Sequence, residues 1–152
     1  MSQEQKSGRK KGSPSALSLW MQRKMNARTA GKIRRKGGKY LGMDLLILHT
    51  TGRRSGEPRE TPITWFPDDD GWLVVASGGG KRNPDWYANL MAHPEQASVE
   101  LHGSPAVAVT PHRLVGEDRA EAWKHITRQQ PRYGKYQQKS AREYPVVRLT
   151  RH

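Results

Sequence analysis

The stretch Thr50-Thr51-Gly52-Arg53-Arg54-Ser55-Gly56-Glu57-Pro58-Arg59-Glu60-Thr61-Pro62 constrains the fold more than any other. Leu45 to Thr50 reads as a buried strand, and Glu60 to Phe66 alternates polar and apolar residues, so the short connection predicts a hairpin. Gly52 and Gly56 suit the positive φ values of a tight turn, and Pro58 fixes the exit. Arg53, Arg54 and Arg59 set three guanidinium forks around the tip, each able to grip phosphate or carboxylate bidentately, with Ser55 and the turn amides as neutral donors. Taken alone, the stretch fits an anion-binding tip and a solvated tip with ordinary surface arginines equally well.

The rest of the chain is punctuated in the same way. Pro67-Asp68-Asp69-Asp70-Gly71 is a second turn; it resembles a fragment of a calcium loop but lacks the downstream ligand spacing. Trp72 to Ala76 reads as a third strand, Ser98 to His102 and Ala106 to Val115 as two more around Gly103-Ser104-Pro105, and Tyr144 to Thr150 as the last. Asn83 as N-cap, Pro84 and Asp85 start a helix that stops before Pro94. Glu117 to Arg128 is a helix burying Ala122, Trp123 and Ile126, and Tyr133 to Gln137 is a helical turn. Six strands, two or three helices and no βαβ rhythm predict an α+β fold: a small, mostly antiparallel barrel with flanking helices.

Charge divides the chain. Of 27 Lys and Arg residues, 12 fall in residues 1–40 with one acidic residue, so most of the net +13 belongs to an N-terminal arm and not to the 41–152 domain. Residues 1–14 are too polar to offset the entropy of ordering and are expected to be disordered. Leu17, Trp20, Met21 and Met25 then form one apolar stripe on a short basic helix, which either packs on the barrel or meets an anionic membrane surface. Gly31 to Gly42 reads as a basic linker. The longest apolar run, Leu45 to Leu48, is far short of the roughly 20 residues of a membrane span. The expected location is cytoplasmic, with peripheral attachment to the inner face of the membrane through the arm.

There is no cysteine, and the six histidines show no metal-ligand spacing, so no metal site is expected. Ser77-Gly78-Gly79-Gly80 leaves a strand and leads to a helix N-terminus, where backbone can approach an anion closely. Its spacing matches neither a Walker A loop nor a dinucleotide fingerprint. Tyr133 and Tyr136, three apart, either line a pocket or pack on the final strand. With no nucleophile or acid–base constellation evident, enzymatic chemistry would have to reside in a bound cofactor.

In order, these segments resemble the deazaflavin-dependent nitroreductase and quinone reductase family of actinobacteria, a branch of the split-barrel oxidoreductases. The resemblance rests on Leu45 to Gly56, Pro58-Arg59 with Thr61-Pro62, Val74 to Gly80, Asn83-Pro84-Asp85-Trp86-Tyr87-Ala88-Asn89-Leu90, and Tyr136-Gln137 through Pro145-Val146-Val147. It implies a split β-barrel that uses reduced coenzyme F420, an 8-hydroxy-5-deazaflavin with a phosphodiester and an oligoglutamate tail, as hydride donor to a quinone or nitroaromatic. By this resemblance Arg53, Arg54, Ser55 and Arg59 face the phosphate and tail. Thr61, Pro62, Ile63, Ala76, Ser77, Gly78, Gly79, Asp85, Trp86, Tyr87 and Asn89 line the coenzyme, and Ser77, Tyr133 and Tyr136 lie near the acceptor. Relatives of this kind can carry tyrosine at the position of Thr64 and lysine at that of Gly78, so acceptor preference stays open. An FMN-binding split barrel and a basic nucleic-acid-binding domain remain alternatives, neither of which accounts for the Asn83–Leu90 segment.

Overall fold

The computed structural model describes residues 16–78 and 81–152. The disorder expected over 1–14, and the role expected of Gly79, lie outside these residues. Described are β1 (Lys39–Tyr40), β2 (Met43–Thr51), β3 (Pro58–Thr64), β4 (Phe66–Asp68), β5 (Gly71–Val75), β6 (Ser98–Glu100), β7 (Val107–Arg113) and β8 (Val146–Arg151). Four α-helices accompany them: α1 (Ala16–Lys36), α2 (Asp85–Ala92), α3 (Gly116–Gln129) and α4 (Arg132–Lys139). The class is α+β, as expected, and the pairings are antiparallel.

The strand order is β1-β2-β6-β7-β8-β5-β4, with β3 also paired to β2. Only Trp65 separates β3 from β4, yet β3 pairs with β2 and β4 with β5, far apart in that order. A bend at this one residue therefore joins two distant parts of the sheet and curls it into a barrel. It also splits the single strand expected from Glu60 to Phe66. The alternation seen in the sequence cannot reveal a change of partner partway along the strand.

Three apolar layers hold the elements. Inside the curl, Leu46 and Leu48 meet Val74, Val99, Val147 and Leu149, and α2 plugs this core with Trp86, Tyr87 and Leu90. Outside, Phe66, Leu73 and Val146 pack against Ile126 of α3 and Tyr133 of α4. On another outer face Ile47 meets Ala30 and Ile33 of α1. Because β2 is covered on both sides, Leu45 to Leu48 is a continuous apolar run and not an alternation.

Helix α1 corrects one expectation and removes one of two alternatives. The basic linker expected over Gly31 to Gly42 is helical as far as Lys36, because complete burial of Ala30 and Ile33 outweighs the roughly 1 kcal/mol cost of a helical glycine. Gly37, at φ +74°, ends the helix and donates its N–H to the Ile33 carbonyl (2.8 Å). Arg34 clamps this end to Glu60 and Glu100 (2.7 Å each), and His102 Nδ1 lies 3.1 Å from the carbonyls of Ile33 and Arg34. The apolar stripe does not pack on the barrel. Leu17, Trp20, Met21 and Met25 are all more than half exposed.

Candidate functional site

The arginine turn needs its two glycines for different reasons. Gly56 adopts φ +72°, but Gly52 does not need the positive φ expected of it. There a Cβ would stand 2.5 Å from Ser55 Oγ, so a side chain would displace the hydroxyl that the Arg59 guanidinium and the Glu57 N–H both reach. The Gly52 N–H donates to Glu57 O (2.8 Å) and the Gly56 N–H to Gly52 O (2.9 Å). Arg59 folds back to donate to Ser55 Oγ (3.1 Å), Glu57 Oε2 and Pro58 O (3.3 Å each), which makes it a brace of the turn. Arg53 ties the turn to α2: its backbone N–H and Nη1 donate to Asn89 Oδ1 (3.0 and 3.2 Å), and Nη2 donates to Asp85 (3.3 Å). Asn89 is buried, so the turn supplies the partners its amide oxygen needs. Arg54 is exposed and enters no hydrogen bond or ion pair among the described residues.

These side chains border a cleft of about 620 Å³, together with Thr61, Arg82 and Trp86. Its remaining wall is α1, whose Leu19, Gln22, Arg23 and Asn26, at i, i+3, i+4 and i+7, turn one face toward it. Five arginines, at 23, 53, 54, 59 and 82, thus meet only Glu60 and Asp85 as acidic neighbours in the lining. Reading α1 as part of a separate arm misses Arg23 and the wall. The signal available was that these four polar-rich positions repeat opposite the apolar stripe.

A second cleft, of about 920 Å³, is bordered by Ser77, Gly78, Tyr133 and Tyr136. Tyr133 both packs and lines: it is buried, edge-on to Phe66 and Tyr136 (ring centroids 5.7 and 6.2 Å), and its hydroxyl lies 3.0 Å from Thr64 Oγ1. Burial pushes its phenol above the ordinary range, against the opposing pull of the Thr64 hydrogen bond. The Tyr136 side chain is exposed at the mouth.

Arg142 fixes the segment that carries Ser77. Its Nη1 donates to Ala76 O (2.8 Å) and Asn83 Oδ1 (2.7 Å), and its Nη2 to Gly78 O (2.9 Å) and Ser77 O (3.2 Å). Asn83 is therefore not the N-cap expected of it; Pro84 takes that position without a side-chain cap. The guanidinium lies over the Tyr144 ring at 4.9 Å, and Gln137 Nε2 donates to the Arg142 carbonyl (2.8 Å). Nothing in the sequence marks Arg142, an arginine in a polar loop 59 residues from Asn83. The segment it holds borders both clefts, through Ser77 and Gly78 on one side and Arg82 and Asn83 on the other.

The structure thus gathers Arg53, Arg54, Ser55, Arg59, Thr61, Asp85, Trp86 and Asn89 at the first cleft, and Ser77 and Gly78 with Tyr133 and Tyr136 at the second. Four residues expected to line the coenzyme border neither. Ala76 and Tyr87 belong to the inner core, Ile63 packs against it, and Pro62 stands opposite Ile47 in the β2–β3 ladder. No cluster of three His, Asp or Glu residues able to hold a metal ion occurs among the described residues.

Comparison with known proteins adds independent observations. Residues 16–151 match the model of the F420H(2)-dependent quinone reductase family. The chain is 41% identical over 111 residues to the F420H(2)-dependent quinone reductase Rv1261c of Mycobacterium tuberculosis strain H37Rv, an alignment covering 70% of this chain and 72% of that one. The same figures hold for MT1299 of M. tuberculosis strain CDC 1551. Among solved structures it resembles the F420-H2 dependent reductase FDR-A, with 34% identity and a TM-score of 0.60 over 69% of this chain and 92% of that one.

Proposed function

We propose, for a chain that belongs to the F420H(2)-dependent quinone reductase family, that the arginine cleft holds the acidic tail of the coenzyme and the tyrosine cleft holds the electron acceptor. The protein is an oxidoreductase that uses reduced coenzyme F420 as hydride donor to a quinone or a similarly conjugated acceptor such as a nitroaromatic. The observation that carries the assignment of the clefts is the donor set of the first. Five guanidinium groups, with the Ser55 and Thr61 hydroxyls, outnumber the two carboxylates among them, and Arg54 is in no ion pair among the described residues. A phosphodiester followed by an oligoglutamate tail presents the several negative charges that such a set accommodates.

When bound, the reduced deazaflavin supplies a hydride from its C5 position. Reduction of a quinone to its hydroquinone takes one proton besides the hydride, and here the chain contributes. The Tyr133 hydroxyl, with those of Ser77 and Tyr136, places three hydroxyls on the same cleft that could hydrogen-bond the acceptor or pass it a proton. Arg142 fixes the backbone of Ala76, Ser77 and Gly78, so that the orientation of Ser77 rests on charge-assisted bonds. Trp86 of the α2 plug and the Tyr133 ring form the apolar inner walls of the first and second clefts.

The outward face of α1 favours a peripheral attachment as well. No helix among the described residues is long and apolar enough to cross a membrane. Instead Leu17, Trp20, Met21 and Met25 stand exposed beside Lys24, Arg28, Lys32 and Arg35, a pairing of apolar and cationic side chains suited to an anionic lipid surface. Salt-sensitive co-sedimentation with anionic vesicles, lost in the Leu17→Ser/Trp20→Ser/Met25→Ser variant, which keeps the docked end of α1, is the expected result; equal pelleting of both proteins removes this attachment.

Turnover tests the function itself. Anaerobic mixing with reduced F420 and a naphthoquinone should restore the visible absorbance of the oxidised coenzyme, while reduced FMN in its place should support no comparable rate. Reduction with FMN alone would favour the flavin-binding alternative.

A further inference from the structure

We propose that the tyrosine cleft selects acceptors that combine a planar apolar body with an anionic substituent. The inference rests on the assignment of that cleft to the acceptor and narrows the acceptor's chemical class. Lys81, Arg132 and Lys139 border the cleft, none of them in an ion pair among the described residues, and no acidic side chain lines it. The first cleft differs, because Arg53 there is already paired with Asp85. Like charges gathered without counter-ions repel one another, and an anion at their centre removes that cost.

The same mouth carries apolar surface. Tyr40, Leu41 and Tyr136 line it and are 61%, 43% and 45% exposed. Leu41 sits at φ +53° beside Gly42 at +79°, in the tight turn joining β1 to β2. A branched side chain in the left-handed region is disfavoured relative to glycine, and here that conformation places apolar surface at the rim of the cleft. Rings and cations around one cleft describe an amphipathic ligand: an aromatic or quinonoid plane against Tyr40, Leu41 and Tyr136, and a carboxylate or sulfonate toward the two lysines and Arg132.

The test compares menadione with a naphthoquinone sulfonate as acceptors for reduced F420, in the parent and in the Lys81→Gln/Lys139→Gln variant, at low and high salt. The ratio of the sulfonate KM to the menadione KM cancels changes common to both acceptors. It should rise about tenfold in the variant at low salt, and by less at high salt where the parent's preference is already screened. The charge-retaining Lys81→Arg/Lys139→Arg variant should hold the parent ratio, which separates loss of charge from loss of fold. An unchanged ratio in the glutamine variant overturns the inference. So does a rise confined to the KM for reduced F420, which would assign the lysines to the coenzyme's own anions. Failure of the parent to reduce either acceptor with F420 would instead overturn the functional assignment on which the inference stands.

Discussion

Arg142 sits at the junction of the two clefts, and its role is open to direct test. Hydrogen bonds from a charged donor contribute about 1.5–3 kcal/mol each when both partners are buried, but this guanidinium is only partly buried and its contacts act as one unit. Arg142→Ala should therefore cost about 2 kcal/mol in thermal unfolding and lower kcat more than it raises the KM for coenzyme, because the segment carrying Ser77 loses its anchor while the arginine turn keeps its own. Arg142→Lys should recover part of the stability and little of kcat, since one ammonium cannot span three carbonyls and an amide. Equal effects on kcat and KM would make Arg142 a purely structural residue. Tyr133 poses a different question, because its ring belongs to the outer core while its hydroxyl reaches Thr64. Tyr133→Phe and Tyr136→Phe keep the rings and should alter turnover or acceptor preference with coenzyme affinity nearly intact. Unchanged kinetics in both, across several acceptors, would return these tyrosines to packing alone.

Among the elements, α1 carries the most revision. Its docked end depends on Glu100, whose carboxyl the Arg34 hydrogen bonds, assisted by His49, hold below the ordinary value of 4.5 despite partial burial. A carboxylate with a lowered folded pKa contributes stability that is complete above the unfolded value and is lost as pH falls through the folded one. The protection of the α1 amides from hydrogen exchange, taken relative to the intrinsic rate at each pH, should therefore fall below about pH 4.5. In Glu100→Gln exchange should already be faster at pH 7 and depend less on acid; identical acid profiles in the two proteins would show that the clamp lies elsewhere. The same helix marks the boundary of what the sequence discloses. Strands β2, β5 and β8, helices α2 and α3, and the antiparallel class were legible because hydrophobic period and turn residues act locally. The continuation of α1 past Gly31 was not, because it depends on Ala30 and Ile33 finding Ile47 in a strand not yet formed. The β3–β4 break was hidden for a similar reason. The arginine turn stood out in the sequence through its residue types, whereas Arg142 acquires its contacts only from residues distant in sequence.

For the molecule as a whole, the curled sheet places two basic clefts on either side of one segment, with α1 closing the first and α4 bordering the second. On the proposed assignment, one end of an anionic coenzyme is held by charge in the arginine cleft while its reactive end approaches the hydroxyls and apolar surface of the tyrosine cleft. Arg54 is the residue to change, because Arg59 braces the turn and Arg53 holds α2, whereas Arg54 lines the cleft with no partner of its own among the described residues. The measurement is the dissociation constant, by deazaflavin fluorescence, of tailed F420 and of its tail-less deazaflavin for the parent and for Arg54→Ala, at low and high salt. The variant should bind the tailed form about tenfold more weakly at low salt, with a smaller loss at high salt, and should bind the tail-less form as the parent does. An equal change for both forms, or no change for either, would contradict the account.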